Sequence, residues 1–327
     1  MATTFKNLLS TDIATTRTLL HEAIPITGTV VSGTYADENI KYYAHGMFES
    51  VYDYPYLSSS ANRIFDLTYG YNSDLSGASN PLNAEKMNIY SEMSLVLMGV
   101  DGTGSIQTFD RDGDLTAEDI AGDEMKACLF IPYARLLTKD EIKKGQYTLS
   151  WHSASTLITV GDYGALTDYR VNSPAGEYGL LYTSSVAPYG DPIGHLYYQA
   201  GIAVITASNE FFPAADSWTT SLSITGACDD FRSIWNDNNF QNTTELNSTI
   251  YFCMAGAGEF NYSSNPTYLT ESKIIIKNEN PSANAKAYVT TIGLYSADNE
   301  LLATAKLSEP IEKDQTNALT FRVRLDY

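Results

Sequence analysis

The sequence predicts a mainly β protein: a β-sandwich or barrel-like core with one or two inserted helices and long loops. Three observations predict it. From residue 146 onward, short β-rich runs recur between clusters of Gly, Asn, Asp and Pro, the spacing of a sandwich or barrel. Tyrosine outnumbers the other aromatics, with 24 Tyr against 12 Phe and 3 Trp, and it suits strands as well as wet interfaces. The helix start and stop signals all fall before residue 146.

Residues 1–35 read as an N-terminal assembly arm with a short helix, in which Asp12 caps a segment carrying Leu19 and Leu20 that ends before Pro25. A mixed α/β part follows over 36–145. Within it, Ile64 to Tyr71 places Phe65, Leu67, Tyr69 and Tyr71 on one face of a strand. The clearest helix spans about 81–98, with Asn80 as N-cap, Pro81 at the first helical position and Gly99 as the stop. Met87, Tyr90, Met93, Leu97 and Met98 recur along it at helical spacing. Such a face serves as core or as an adaptable recognition surface, and core is the commoner use. Thr138 to Glu141 has the form of a capping box and opens a second, shorter helix running to Gly145.

The β-rich part covers 146–327. Its strand candidates are Gln146–His152, Leu157–Val160, Leu196–Ala207, Trp218–Ile224, Thr249–Met254 and Leu269–Lys277. Stretches 161–194 and 229–247 are polar and rich in Gly, Asn and Asp, and read as large loops, which in a compact domain usually touch something. At the C-terminal end, Ala287–Tyr295 and Glu300–Lys306 flank a polar turn holding Asp298 and Asn299, the pattern of a hairpin. A third run, Leu319–Leu325, alternates apolar with polar, so the chain is expected to end inside a sheet.

Composition narrows the function classes. The net charge is −19 with no cluster of Lys or Arg, which excludes non-specific binding of nucleic acid or anionic lipid. Solubility accounts for the charge, and an acidic lumen that lets DNA slide is the alternative if the protein lines a conduit. Cys128, Cys228 and Cys253 are widely spaced and fit neither a zinc site nor a disulfide framework, so buried reduced thiols are expected. The first residues lack the apolar core of a signal peptide, and no apolar run reaches spanning length. Folding in a cytoplasm is the expectation.

Little of the chain carries chemistry. Asp110, Asp112 and Asp114 alternate in Asp110-Arg-Asp-Gly-Asp114, which can converge on Ca²⁺ in a tight loop, with Glu118 at the ninth position. An EF-hand needs Gly at the sixth position and Glu at the twelfth, where this chain has Leu115 and Ala121. An ordinary acidic turn is therefore the first reading, and Ca²⁺ is the one cofactor the sequence admits. His21, His45, His152 and His195 lack ligand spacing, Ser58 to Ser60 lack a nucleophile elbow, and Gly102-Thr-Gly104 and Gly256-Ala-Gly258 read as turns. Nothing here argues for an enzyme.

The C-terminal run Thr291-Ile-Gly-Leu-Tyr295, Glu300-Leu-Leu-Ala303, Lys306-Leu-Ser308, Pro310 and Arg322-Val-Arg-Leu-Asp-Tyr327 resembles the signature of a family of virion structural proteins from contractile-tailed bacteriophages, including those of marine bacteria. Phe5 to Leu9, Leu20 to Thr29, Gly46 to Asn62, Asn83 to Tyr90, Phe109 to Asp114, Val171 to Tyr178 and Tyr197 to Ala203 are similar to the same family. The resemblance implies a virion structural protein in symmetric copies at the neck or collar, tail or baseplate. Its partners would be copies of itself and other virion proteins, with no nucleic acid and no membrane, and it would be assembled in the host cytoplasm. The hairpin is also similar to one found where fibre proteins attach to baseplates. Interface residues are then expected at Tyr288, Ile292, Leu294, Tyr295, Leu301, Leu302, Arg322 and Arg324. Two rivals remain. One is a receptor- or carbohydrate-binding module using exposed tyrosines and Trp218 or Trp235 as stacking platforms. The other is a depolymerase with two carboxylates converging in a cleft.

Overall fold

A computed structural model describes residues 5–75, 80–115, 123–263, 269–270, 273–274 and 286–327. In chain order the first strands are β1 Ile13–Thr27, β2 Ile40–Tyr42, β3 Glu49–Tyr52, β4 Arg63–Tyr71, β5 Ala127–Pro132 and β6 Glu141–Ile142. Next come β7 Thr148–Ser153, β8 Thr156–Gly161, β9 Tyr169–Arg170, β10 Tyr178–Leu181, β11 Gly194–Tyr197 and β12 Ile202–Thr206. The last are β13 Trp235–Ala255, β14 Leu269–Thr270, β15 Lys273–Ile274, β16 Ala287–Tyr295, β17 Leu301–Lys313 and β18 Leu319–Asp326. The helices are α1 Gly28–Val31, α2 Pro81–Leu97, α3 Arg135–Thr138, α4 Ala215–Thr220 and α5 Ile224–Ile234. The chain forms two compact units, Leu19–Thr244 and Met1–Thr18 with Glu245–Tyr327. That division differs from the expected cuts near 35 and 145, because the two chain ends belong to one unit.

The larger unit is built on an eight-stranded antiparallel sheet in the order β2-β3-β4-β5-β12-β11-β10-β9. Its register sorts side chains into two faces. Thr68, Phe130, Val204, His195 and Leu180 lie in one row across the sheet, and Tyr69, Leu129, Ile205, Gly194 and Leu181 lie in the next. Because the strand period is two, adjacent rows face opposite ways. Both faces are covered. The Tyr69 row shares a core with Leu149 and Trp151 of β7, Val160 of β8, Trp235 and Phe240 of β13, and Trp218, Cys228 and Phe231 of the helices α4 and α5. Ring contacts join the layers: Phe65 stacks on Trp235 at 5.0 Å, and Tyr133 meets Phe240 at 5.0 Å. This is the sandwich. The Phe130 row instead packs under α2, with Tyr90, Leu97, Met98, Phe109, Tyr178 and Tyr197.

Helix α2 follows its sequence signals. The Asn80 side chain accepts the Asn83 N–H at 2.9 Å, Pro81 occupies the first turn, and Gly99 stands at φ +83° after the end. The first two satisfy or remove donors that would otherwise be orphaned. Gly70 lets the helix settle on β4: a Cβ there would lie 2.7 Å from the Lys86 carbonyl oxygen and 2.7 Å from the Tyr90 nitrogen. The methionine-bearing face is core, with Met98 buried and Met87 and Met93 packed partly against it.

Several expectations give way. Leu19 and Leu20 lie in β1, not a helix. Asp12 caps backward, accepting the Leu9 N–H at 2.9 Å, and the β-branched run from Ile13 to Thr18 favours an extended chain. Thr138 ends α3 and starts no helix. Lys139 turns at φ +55°, and the next residues bond to neighbouring strands, Asp140 N–H to Thr243 and Lys143 N–H to Gln241. Leu196–Ala207 is a hairpin, broken at Gly201 with φ +66°. Trp218–Ile224 runs from the end of α4 to the start of α5 and holds no strand: the Ser223 side chain accepts the Gly226 N–H at 3.1 Å and so caps α5. The polar stretch 229–247 is the end of α5 and the start of β13, and 161–194 contains β9 and β10. Leu269–Lys277 lies partly outside the described residues, which contribute the short pair β14 and β15.

The smaller unit contains the C-terminal part of β13 paired with β18, from Ser248 opposite Asp326 to Ala255 opposite Leu319. Tyr327 N–H donates to the Asn247 carbonyl at 2.9 Å, extending that ladder. Strands β16 and β17 form a separate two-stranded ribbon, with Ala287 opposite Lys313 and Tyr295 opposite Leu301. The hairpin is as expected, closed by Ser296 N–H to the Glu300 carbonyl at 2.9 Å with Asn299 at φ +63°. The third run, β18, pairs with β13 and not with the ribbon. At the ribbon's base the buried Lys313 ammonium donates to the Ala257 and Asp314 carbonyls at 3.2 and 2.7 Å and to Asn261 Oδ1 at 2.8 Å.

Candidate functional site

Two places answer to the sequence-level candidates. The first is the acidic turn of the larger unit. Met125 N–H donates to the Phe109 carbonyl at 2.9 Å and Arg111 N–H to the Asp123 carbonyl at 2.8 Å, so residues 109–111 and 123–125 lie side by side. Beyond Asp110 the chain reverses, with Gly113 at φ +70° and Leu115 at +67°. Glycine is needed at 113 for a second reason: a Cβ would lie 2.7 Å from the Tyr178 hydroxyl. Asp110 Oδ2 accepts the Leu115 N–H at 2.6 Å, and Asp112 Oδ1 accepts the Asp114 N–H at 2.9 Å.

This reversal decides which carboxylates meet. Asp110, Asp112 and Asp123 bring carboxylate oxygens within 4.8 Å of one another. Asp114 is exposed and outside that group, so alternation along the sequence misleads once the chain turns. Glu118 and Ala121 lie outside the described residues. Asp110 is 8% exposed and Asp123 3%. Asp110 Oδ1 and Asp123 Oδ1 are buried without a hydrogen-bond partner among the described residues. Burial, reinforced by the Asp123 carboxyl beside it, pushes the Asp110 carboxyl well above the usual carboxylate range.

The second place is the ribbon of the smaller unit. Tyr288, Tyr295, Leu301 and Leu302 are exposed, Leu302 by 69%. Ile292 pairs with Ala305 and Leu294 with Ala303 on one face, and all four are only half-buried. Phe5 meets the Tyr295 ring edge-on at 4.9 Å. Arg322 and Arg324 are exposed on β18. Arg324 is tied to Asp326 at 2.6 Å and to Ser248 at 3.0 Å.

Trp218 and Trp235 are not stacking platforms. They are 1% and 5% exposed, and both belong to the sandwich core. Tyrosines take both expected roles: Tyr69, Tyr147, Tyr178 and Tyr197 are fully buried, while Tyr35, Tyr54, Tyr288 and Tyr295 are exposed. Cys128 and Cys228 are buried free thiols, and Cys253 is half-buried.

Two buried polar contacts have no sequence signal, since their partners are remote. The Lys86 ammonium donates to the Trp218 and Thr219 carbonyls at 2.7 and 3.2 Å. Arg232 pairs with Glu49, 183 residues away, and burial pushes the Glu49 carboxyl up to about 7 against the pull of that guanidinium. Burial pushes the His195 imidazole down to about 4. The Lys86 and Arg232–Glu49 contacts tie elements together inside packed layers, whereas the His195 ring meets the Tyr197 hydroxyl of its own strand at 3.3 Å. No helix among the described residues is long and apolar enough to cross a membrane. Comparison with protein-family models, with curated proteins and with solved structures returned no match.

Proposed function

We propose that this chain is a structural component of a tailed-phage particle, assembled in symmetric copies at the neck, tail or baseplate. The observation that carries the reading is the ribbon of the smaller unit. Among the described residues, strands of nine and thirteen residues pair only with each other and leave large apolar side chains exposed. An isolated two-stranded ribbon is marginal in water, and open strand edges invite pairing with another chain. Both properties become useful once a neighbour covers the ribbon.

Assembly is then the mechanism. A cyclic array presents head-to-tail surfaces, so the ribbon of one copy meets a different patch on the next copy or on another virion protein. Backbone groups on the ribbon edge supply strand addition, and Tyr295, Leu301 and Leu302 supply buried anchors. No step of this reading asks for catalysis.

The test is a cryo-EM reconstruction of the particle that contains the chain. The expected result is a symmetric ring in which β16 and β17 are buried against neighbours. A particle that holds the chain with the ribbon fully solvated at an exposed tip overturns the reading.

A further inference from the structure

We infer that Asp110, Asp112 and Asp123 form a Ca²⁺ site at the acidic turn of the larger unit. The inference does not depend on the assembly reading. It starts from an imbalance of charge and hydrogen bonding. Three carboxylates reach within 4.8 Å of one another, and two of them belong to residues at least nine-tenths buried. Asp110 Oδ1 and Asp123 Oδ1 are buried with no hydrogen-bond donor among the described residues. A buried carboxylate oxygen without a donor is costly, and a second anion beside it raises the cost.

The described hydrogen bonds of the neighbouring guanidiniums go to other groups. Arg170 Nε donates to the Asp112 backbone carbonyl at 3.1 Å, and its Nη1 pairs with Asp168. Arg111 Nε donates to the Pro192 carbonyl at 2.7 Å. The turn meanwhile holds the carboxylates in place, since Asp110 Oδ2 and Asp112 Oδ1 each accept a backbone N–H. Asp110 Oδ1 and Asp123 Oδ1 remain to accept a cation.

The donor set names the ion class. All three ligands are carboxylate oxygens, with no His or Cys in the group, which suits a hard divalent cation and not zinc or copper. Ca²⁺ fits better than Mg²⁺, because a site in an irregular turn with carboxylates from two segments tolerates variable geometry. The site also explains why Asp123 belongs with the turn. It is delivered by the strand-like pairing of 109–111 with 123–125, which fixes one carboxylate opposite the other two.

The competing explanation is a proton shared between Asp110 and Asp123, and the experiment separates the two. The full chain is stripped with EDTA and titrated with Ca²⁺ alone up to about 10 mM, beyond the weakest common Ca²⁺ affinities. Heat of binding and thermal unfolding are both followed. The expected result is a rise in Tm with Ca²⁺, a smaller rise with Mg²⁺, and Ca²⁺ affinity weakened by on the order of tenfold in Asp112→Asn and Asp123→Asn. Asp112 is only half-buried, and Asn can still accept the Asp114 N–H, so that variant reports even if Asp123→Asn does not fold. Absence of heat and of a Tm shift in the native chain overturns the inference. So does binding that persists unchanged in Asp112→Asn. A native chain indifferent to Ca²⁺, with Asp123→Asn more stable than native in EDTA, assigns the pair to a shared proton instead.

Discussion

The two units of this chain use the same kind of strand for opposite ends. In the larger unit β4 reads Phe65, Leu67, Tyr69 and Tyr71 on one face, all 0% exposed. In the smaller unit β16 carries Ile292 and Leu294 on one face, and both stay half-buried. The difference lies in what stands opposite. β4 has a second sheet and two helices over one face and α2 over the other, so its apolar area leaves water. Among the described residues the ribbon has two strands and no second layer, and Tyr295, Leu301 and Leu302 are exposed. A strand's pattern states which face wants cover, and the fold decides whether the chain itself provides it.

That contrast can be broken in stages. The largest effect is expected from Trp151→Ala, which empties a fully buried site that stacks on Phe212 at 5.0 Å and donates to the Phe211 carbonyl at 3.1 Å. The loss should be about 3–5 kcal/mol in denaturant unfolding. A loss below about 1 kcal/mol would mean that the sandwich core is not what holds the larger unit.

The next effect is a pH dependence. His195 is buried and neutral, with its pKa pushed down from 6.5 to about 4. Above pH 6.5 neither state binds the proton, so the group costs nothing. As pH falls from 6.5 to about 4 the unfolded chain takes up a proton that the folded chain refuses, and stability is lost. Across that window the native protein should lose about 3 kcal/mol relative to His195→Gln. Parallel stability curves for the two proteins between pH 7 and 4 would remove the burial argument.

A smaller change tests one helix end. Asn80→Ala removes the cap on Asn83 N–H and should cost about 1 kcal/mol. An unchanged Tm would show that α2 is held by packing alone.

The smallest stability effect belongs to the ribbon. Tyr295→Ser combined with Leu302→Ser removes two exposed side chains and should change the stability of the free chain by less than about 0.5 kcal/mol. The same pair should abolish incorporation into particles, read by the amount of chain co-sedimenting with them. Normal incorporation of that variant would detach the ribbon from assembly and leave its exposed residues without a role.

The parts of the fold legible in the sequence are those set by near neighbours. Phe65 to Tyr71 alternates, Asn80 and Pro81 open a helix, and Asp298 with Asn299 turns a hairpin, each within a few residues. Trp218 and Ser223 misled because a Trp- and Thr-rich run has strand composition, while the cap that makes α5 a helix depends on a single Ser side chain reaching Gly226. The acidic turn was half legible. Asp110 and Asp112 announce it, but Asp123 reaches them only through cross-strand pairing, which no local spacing encodes. The Arg232–Glu49 pair, joined across most of the unit's sequence, is invisible for the same reason.

Gly70 carries a consequence for tracing ancestry. Its hydrogen atom stands where any methyl would push into the main chain of α2 at Lys86 and Tyr90. A chain that keeps this helix seated on this strand therefore has no freedom at that position, however far the rest of its residues drift. Ten residues later Asn80 and Pro81 start the helix that presses on it. A glycine next to the end of an aromatic-rich strand, followed at that interval by Asn-Pro, is a fingerprint that steric necessity would preserve after overall similarity has faded.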